Sequence, residues 1–358
     1  MIKVLERYIA KTLFLSTAFV TLVVTGVLFL MMLLTELKSM GEGDYGILQA
    51  LSYVLMRLPS ELYQFSPVLI LLGSIASLSV LSAHRELTVM RISGCSIRRI
   101  VYTILSAAGL LIILVGVIGE GFAPRLSYQA EVRKENVQHA GQAMVTASGV
   151  WFHLNNNFIY VKRIVDRQLL EGVVRYQFNA AHQLKAAYYA KTLTTKNHRT
   201  WEMNDVVKTT FYNNHTTNES FHSLNWNLKL NPNLLNIGLI DANDMSLLKL
   251  SKFVTYLRQN GLRASDYQYV FWQRIFKPLT SLIMAFLAVS FVFSIFTNMP
   301  FGFRILLGVL LGFLFFILNA MIGELCIVFQ FPPIFAAFSP LFVFVLFGMF
   351  FSKRLVHF

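Results

Sequence analysis

Long apolar runs punctuated by single charged residues occupy both ends of the chain, and a polar stretch with a different rhythm separates them. The first run extends from about Thr12 to Leu34, with Lys11 and Lys38 beyond its two ends. Others lie at about Leu62 to Ala83, Ile100 to Gly119, Ile275 to Phe296, Ile305 to Cys326 and Ile334 to Phe351. A helix needs about 20 mostly apolar residues to cross the hydrocarbon layer of a bilayer, so each run predicts a transmembrane helix. The first lacks the short apolar core and small-residue cleavage site of a secretory signal. The pattern predicts an integral membrane α-helical protein with six spans, three before and three after an insert. The three regions are 1-120, 121-266 and 267-358.

The insert is rich in β-branched and aromatic residues at Phe158 to Val161, Gly172 to Phe178, Ala187 to Tyr189 and Val206 to Tyr212, with polar Asn, His, Asp or Gly clusters between. Short strands at this spacing predict an all-β sandwich or open barrel. After it, Leu247, Leu250, Val254 and Leu257 recur at helical spacing, with Asp244 able to cap the start and Gly261 the end. An amphipathic helix is expected there, leading back to the membrane.

Charge orients the spans. Lys3, Arg7, Lys11, Arg85, Arg91, Arg98, Arg99, Arg304, Lys353 and Arg354 all fall on one side of a six-span chain, whereas the alternate loops carry Glu36, Glu42, Asp44 and Glu324. Lysine and arginine accumulate in cytoplasmic loops, so both termini are expected inside and the insert outside. This bias accounts for part of the net charge of +13. Without a basic stripe interleaved with aromatics, nucleic-acid binding is not expected. Cys95 and Cys326 fall near opposite faces of the membrane, too far apart for a disulfide.

No H-E-x-x-H, nucleophile elbow or phosphate loop is present, and the histidines have no metal-ligand spacing. No catalytic residue, metal or cofactor is expected in this chain, so any energy must come from another one. The loop between spans two and three suggests how. In His84 to Gly94, Leu87 and Met90 share a helical face and Gly94 can supply a left-handed stop. Arg85, Glu86, Leu87, Met90 and Arg91 are therefore candidates for a short coupling helix near 84-94. In that reading Leu87 and Met90 seat in a groove of a soluble ATPase and Glu86 meets a basic side chain.

Basic residues on the outer side run against the charge rule: Lys38, Arg133, Arg274 and Lys277. They are candidates for lipid phosphate, with snorkelling toward headgroups as the plainer alternative.

The chain resembles the LptF/LptG family of lipopolysaccharide-export permeases over essentially its whole length. The resemblance rests on ERYIAKTLF at Glu6 to Phe14, RELTVMRISG at Arg85 to Gly94 and the Glu120-x-x-Ala123-Pro124 exit of span three. GFLFFILN at Gly312 to Asn319 and PPIFAAFSP at Pro332 to Pro340 complete it. Strings such as VMRISG and PPIFAAFSP lie nearer the LptG branch than LptF. The resemblance implies an inner-membrane heterodimer with an LptF-like permease, an LptB-like ATPase dimer that binds ATP and Mg, and an LptC-like bridge protein. It also implies a periplasmic β-jellyroll-like insert, and lipopolysaccharide as substrate. Spans one and five then wall a lateral gate, where Leu30, Met31, Leu33, Leu34, Phe313, Phe315 and Phe316 offer acyl contacts. Gly308 and Gly312 permit the close helix approach that suits a sliding gate. A receptor or scaffold without transport activity is the alternative of another class.

Overall fold

The computed structural model describes residues 2–41, 44–138, 150–154, 157–166, 169–179, 183–195, 201–212, 215–226, 242–259, 264–294, 300–329 and 331–352. Its helices are α1 (Ile2–Glu36), α2 (Ile47–Gln64), α3 (Ser66–Ala83), α4 (Glu86–Ile92), α5 (Ile97–Gly121), α6 (Ala123–Gln138), α7 (Leu247–Gln259), α8 (Ser265–Ser294), α9 (Phe301–Phe329) and α10 (Pro333–Ser352). Between α6 and α7 lie β1 (Val150–Leu154), β2 (Asn157–Asp166), β3 (Leu169–Phe178), β4 (Leu184–Thr195), β5 (Trp201–Phe211) and β6 (Thr216–Trp226). Helices α1, α3, α5, α8, α9 and α10 are long and apolar enough to cross a membrane.

The chain divides into two compact units, one formed by 1–35, 54–127 and 265–358, the other by 36–53 and 128–264. The first is the helical bundle. Its core gathers Leu71, Ile75 and Leu78 of α3, Ile100 and Ile104 of α5, and Met284, Leu287 and Val289 of α8. Helix α3 is buried along almost its whole length, so it needs no polar face, and its sequence has none. Helix α1 differs: Ile9, Leu13 and Thr17 are buried, but from 18 to 35 no residue is. That half depends on lipid or another chain for its surroundings.

The expected second span begins too early. Leu62 belongs to α2, which ends at Gln64, and α3 starts afresh at Ser66 with proline in its first turn, where the missing N–H costs nothing. Helix α8 begins at Ser265, ten residues before the expected start.

In the second unit the strands form one antiparallel sheet in the order β1-β2-β3-β4-β5-β6. Val161, Val173, Ala190, Val206 and Phe221 are successive register partners, so they share a face. That face is the core side. Leu170 and Val173, Ala190 and Leu193, and Met203 and Val206 are each three residues apart, yet all six are at most 1% exposed. Strict alternation would put residues three apart on opposite faces. Each strand therefore changes phase between them, and the changes fall in register, Glu171 opposite Thr192 opposite Asn204. On this line Gly172 has φ +62° and Asp205 φ +51°, left-handed backbone that breaks the alternation without shifting the register.

The bend folds the sheet over. Arg175 and Trp226 lie three strands apart, and Arg175 is six residues along β3 from Leu169, near the end where Trp226 sits. On a flat sheet that separation is roughly 25 Å, at about 3.3 Å per residue and 4.8 Å per strand. Instead the Arg175 guanidinium lies 4.5 Å from the Trp226 ring. A sheet closed on itself in this way is jellyroll-like, as expected. Helix α7 forms where the periodicity predicted it, burying Leu250, Phe253 and Leu257. Its cap is Ser246 rather than Asp244: the Ser246 carbonyl accepts from Leu250 N–H at 2.9 Å, and its Oγ faces Lys249 N–H. Gly261, the expected stop, lies outside the described residues, as do Lys353 and Arg354.

Candidate functional site

Helix α4 forms where the loop sequence placed it, and Gly94 ends it at φ +86°. Gly94 N–H donates to Arg91 O and Cys95 N–H to Met90 O, each at 3.0 Å. Leu87 and Met90 do share a face, but that face is sunk into the bundle's own core. The expectation that they seat in another protein is thereby corrected, because their apolar surface is already covered by this chain. What α4 leaves outward is Arg85, Thr88, Val89, Arg91 and Ile92, with Ile92 82% exposed. Glu86 stands at the edge: Oε1 accepts from Tyr8 OH at 3.1 Å, while Oε2 is buried and has no donor among the described residues. A lone acceptor of this kind is costly unless something else supplies a donor.

The gate candidates divide. Leu30, Met31, Leu34, Phe313 and Phe316 are exposed, and Leu33 is half-buried. Phe315 is instead buried edge-on against Phe344 of α10, centroids 5.3 Å apart, so its expected acyl contact is corrected to internal packing. Gly308 and Gly312 also face inward. A Cβ on Gly308 would stand 2.8 Å from Ile75 Cδ1, and one on Gly312 2.6 Å from Val68 Cγ1. The close approach they permit is therefore between α9 and α3 of the same chain. The outward face of α9 carries Leu306, Leu310, Phe313, Ile317 and Met321 in one helical stripe.

The basic candidates divide as well. Lys38 and Arg133 are exposed, and Lys38 makes no ion pair among the described residues. Arg274, in contrast, is 6% exposed and meets Glu120 at 3.3 Å. Tyr63 OH donates to the same Glu120 oxygen at 3.0 Å. Lys277 lies 4.1 Å over the Tyr63 ring and donates to Tyr63 O at 3.4 Å. The expected phosphate contacts of Arg274 and Lys277 are thus corrected: their charges are engaged by protein groups. A buried cation requires such partners.

Two features escaped the sequence reading. At the C-terminal end of α1, Lys134 Nζ lies 2.9 Å from Glu36, whose Oε2 also accepts from Tyr45 OH at 2.9 Å. Lys134 sits 4.7 Å over Tyr53, whose OH donates to Glu131 at 2.9 Å. Burial and the Glu36 carboxylate push the Tyr45 hydroxyl pKa well up, so it stays a donor. The i, i+3 spacing of Glu131 and Lys134 was the only available signal. The other feature is Asn319 in span five, whose backbone carbonyl accepts from Tyr269 OH of α8 at 2.9 Å. Its side-chain Oδ1 lies 3.4 Å from the same hydroxyl, so a polar side chain in a span here serves helix packing.

Six helices long and apolar enough to cross a membrane, three before and three after the folded-over sheet in chain order, define a polytopic membrane protein. The chain belongs to the LptF/LptG family: the description "Lipopolysaccharide export system permease LptF/LptG" matches residues 7–354. It is 31% identical over 339 residues to the lipopolysaccharide export system permease protein LptG of Escherichia coli K12, covering 94% of each chain. To LptG of Haemophilus influenzae it is 28% identical over 347 residues, covering 96% of this chain and 97% of the other.

Proposed function

We propose that this chain is an LptG-type permease subunit that extracts lipopolysaccharide from the inner membrane and passes it to a periplasmic bridge. ATP is hydrolysed in a separate LptB-like dimer, an LptF-like permease forms the other half of the pore, and an LptC-like protein receives the lipid. The relatives named above favour LptG over its paralogue LptF. In this reading the termini and α4 are cytoplasmic, as the basic loops require, and the sheet is periplasmic.

The observation that carries the coupling step is the Glu86 carboxylate, poised at the edge of α4 with one oxygen lacking a donor among the described residues. A basic side chain of the ATPase would complete it, with Val89 and Ile92 supplying the apolar contact. On the outer side, the exposed Lys38 and Arg133 are the cations proposed for lipid phosphate, Lys38 following the exposed apolar half of α1 in the chain. Lipid there is bound by its acyl chains and held by its charge.

Reconstitution with the partner permease, the ATPase and the bridge protein tests this. Lipopolysaccharide should reach the bridge only with ATP and only with this chain present. Glu86→Ala removes a charge-assisted contact worth about 1.5–3 kcal/mol, so ATPase docking should weaken at least tenfold. Transfer without ATP, or undiminished docking of the variant, refutes the reading.

A further inference from the structure

Helix α1 is gripped by the bundle at one end, and the grip includes α4. Ile9 and Leu13 lie in the same buried cluster as Leu87 and Met90. Two polar contacts add to this. Tyr8 OH donates to Glu86 Oε1 at 3.1 Å, and Glu6 Oε1 lies 2.9 Å from both Nε and Nη2 of Arg99 on α5. Farther along, Thr17 is pressed against α3, where a Cβ on Gly73 would stand 2.8 Å from the Thr17 Cα. From 18 to 35 no residue is buried.

The Tyr8 bond does not serve to satisfy a buried hydroxyl. Tyr8 is 45% exposed, and a phenol with that much access to water gains little stability from one bond to a protein group. What the bond fixes is the carboxylate. The terminal torsion of a glutamate is broad and roughly two-fold, so a free Glu86 would turn its oxygens over. With Oε1 held, Oε2 is the oxygen left without a donor among the described residues. The backbone before it is held as well. Arg85 keeps φ +57°, a left-handed conformation that a non-glycine residue sustains only where its surroundings over-determine it.

We propose that Tyr8 is a positioning residue for the ATP-driven step: its hydroxyl orients Glu86 for a cation of the ATPase and ties α4 to α1. The carboxylate then bridges two proteins, one oxygen on Tyr8 and the other on the ATPase, so a shift of α4 on docking carries the gripped end of α1 with it. Leu34 is about 39 Å along the helix from Tyr8, at 1.5 Å per residue. A small tilt at the gripped end therefore becomes a displacement of several ångström at the other. Helix α1 contains no proline to absorb the tilt. The inference rests on the reading of α4 as the helix that docks the ATPase, and goes beyond it by naming the residue through which docking reaches α1.

The test uses the full chain, assembled in vesicles with the partner permease, the ATPase and the bridge protein. Tyr8→Phe removes one oxygen and keeps the ring. The ATPase should dock about fivefold more weakly, the fold-change of one hydrogen bond, and less lipopolysaccharide should be transferred per ATP hydrolysed. The melting midpoint in detergent should stay where it is; a lowered midpoint makes Tyr8 structural and overturns the assignment. In a Glu86→Ala chain the same change should add nothing, because the hydroxyl acts through that carboxylate. Native docking and native transfer per ATP in Tyr8→Phe, with Glu86→Ala impaired, overturn the proposal and leave the coupling helix standing. So does a Tyr8→Phe loss that is undiminished in the Glu86→Ala chain. Undiminished docking of Glu86→Ala overturns the coupling reading itself, and the Tyr8 assignment with it. A measurement on the chain with Tyr8 intact needs neither variant. Nitroxide labels at the exposed positions Leu34 of α1 and Leu114 of α5 should report a changed separation when the ATPase docks, and an unchanged separation overturns the proposal.

Discussion

Arg274 in the helical bundle and Arg175 in the sheet both turn inward, and their surroundings treat them in opposite ways. Arg274 is met by Glu120, which is itself held by Tyr63, so a charge in an apolar environment is neutralised within the chain. Arg175 receives two ring faces and an amide oxygen, but no carboxylate among the described residues. A cation closed by a carboxylate is part of the architecture, since removing either partner strands the other. A cation held only by its faces keeps its hydrogen-bonding edge available. Burial alone does not separate the two roles; the identity of the partner does.

The largest expected effect falls on the closed pair. Glu120→Ala should destabilise the bundle by about 3–5 kcal/mol, because Arg274 is left buried without its counter-charge. Thermal melting of the full chain in detergent checks this, and an unchanged midpoint would erase the distinction drawn here. Next comes the bend that brings Trp226 to Arg175. Gly172→Val puts a branched side chain at φ +62° with a Cβ 2.8 Å from that of Lys162, a strain of about 1–3 kcal/mol. Faster proteolysis between β2 and β4 is the expected readout.

Arg175→Gln should cost only about 1 kcal/mol, the worth of the ring contacts, since no carboxylate is left behind. A loss as large as that of Glu120→Ala in the same melt would mean that Arg175 is structural too. The smallest effect concerns Lys208. Its hydrogen bond to Glu219 raises its pKa above the ordinary 10.5, so the pair's contribution is fully present at neutral pH. It should fade only as pH rises past 10.5 and through the higher folded value. In Glu219→Gln the Lys208 titration, followed by NMR, should move down toward 10.5.

The spans were legible because a bilayer sets a length that composition alone can meet. Helix α2 was not, since its charged residues and Pro59 break the apolar run below the length that a span needs. Strand β6, Thr216–Trp226, escaped because it is largely polar and exposed, and α6 because a charged helix carries no apolar period. In the candidate site, spacing correctly placed Leu87 with Met90 and Gly308 with Gly312 on shared faces. It could not say what those faces meet, and in both cases the answer is this chain. Arg274 and Lys277 were correctly singled out as charges needing a reason, but the reason for Arg274 lies at Glu120, 154 residues earlier. Periodicity carries no information at that distance.

The strand order has a consequence for how the protein is made. Every described strand pairs only with those adjacent in the chain, so each can be zipped onto the last as it is synthesised. Local closure of this kind is fast and leaves few edges waiting for distant partners. The bundle has no such freedom: α5 is synthesised well before α8, and Glu120 has to wait for Arg274 until the whole sheet has passed between them. Assembly is therefore staggered, with the insert completed first and the membrane unit locked only when its fourth span arrives.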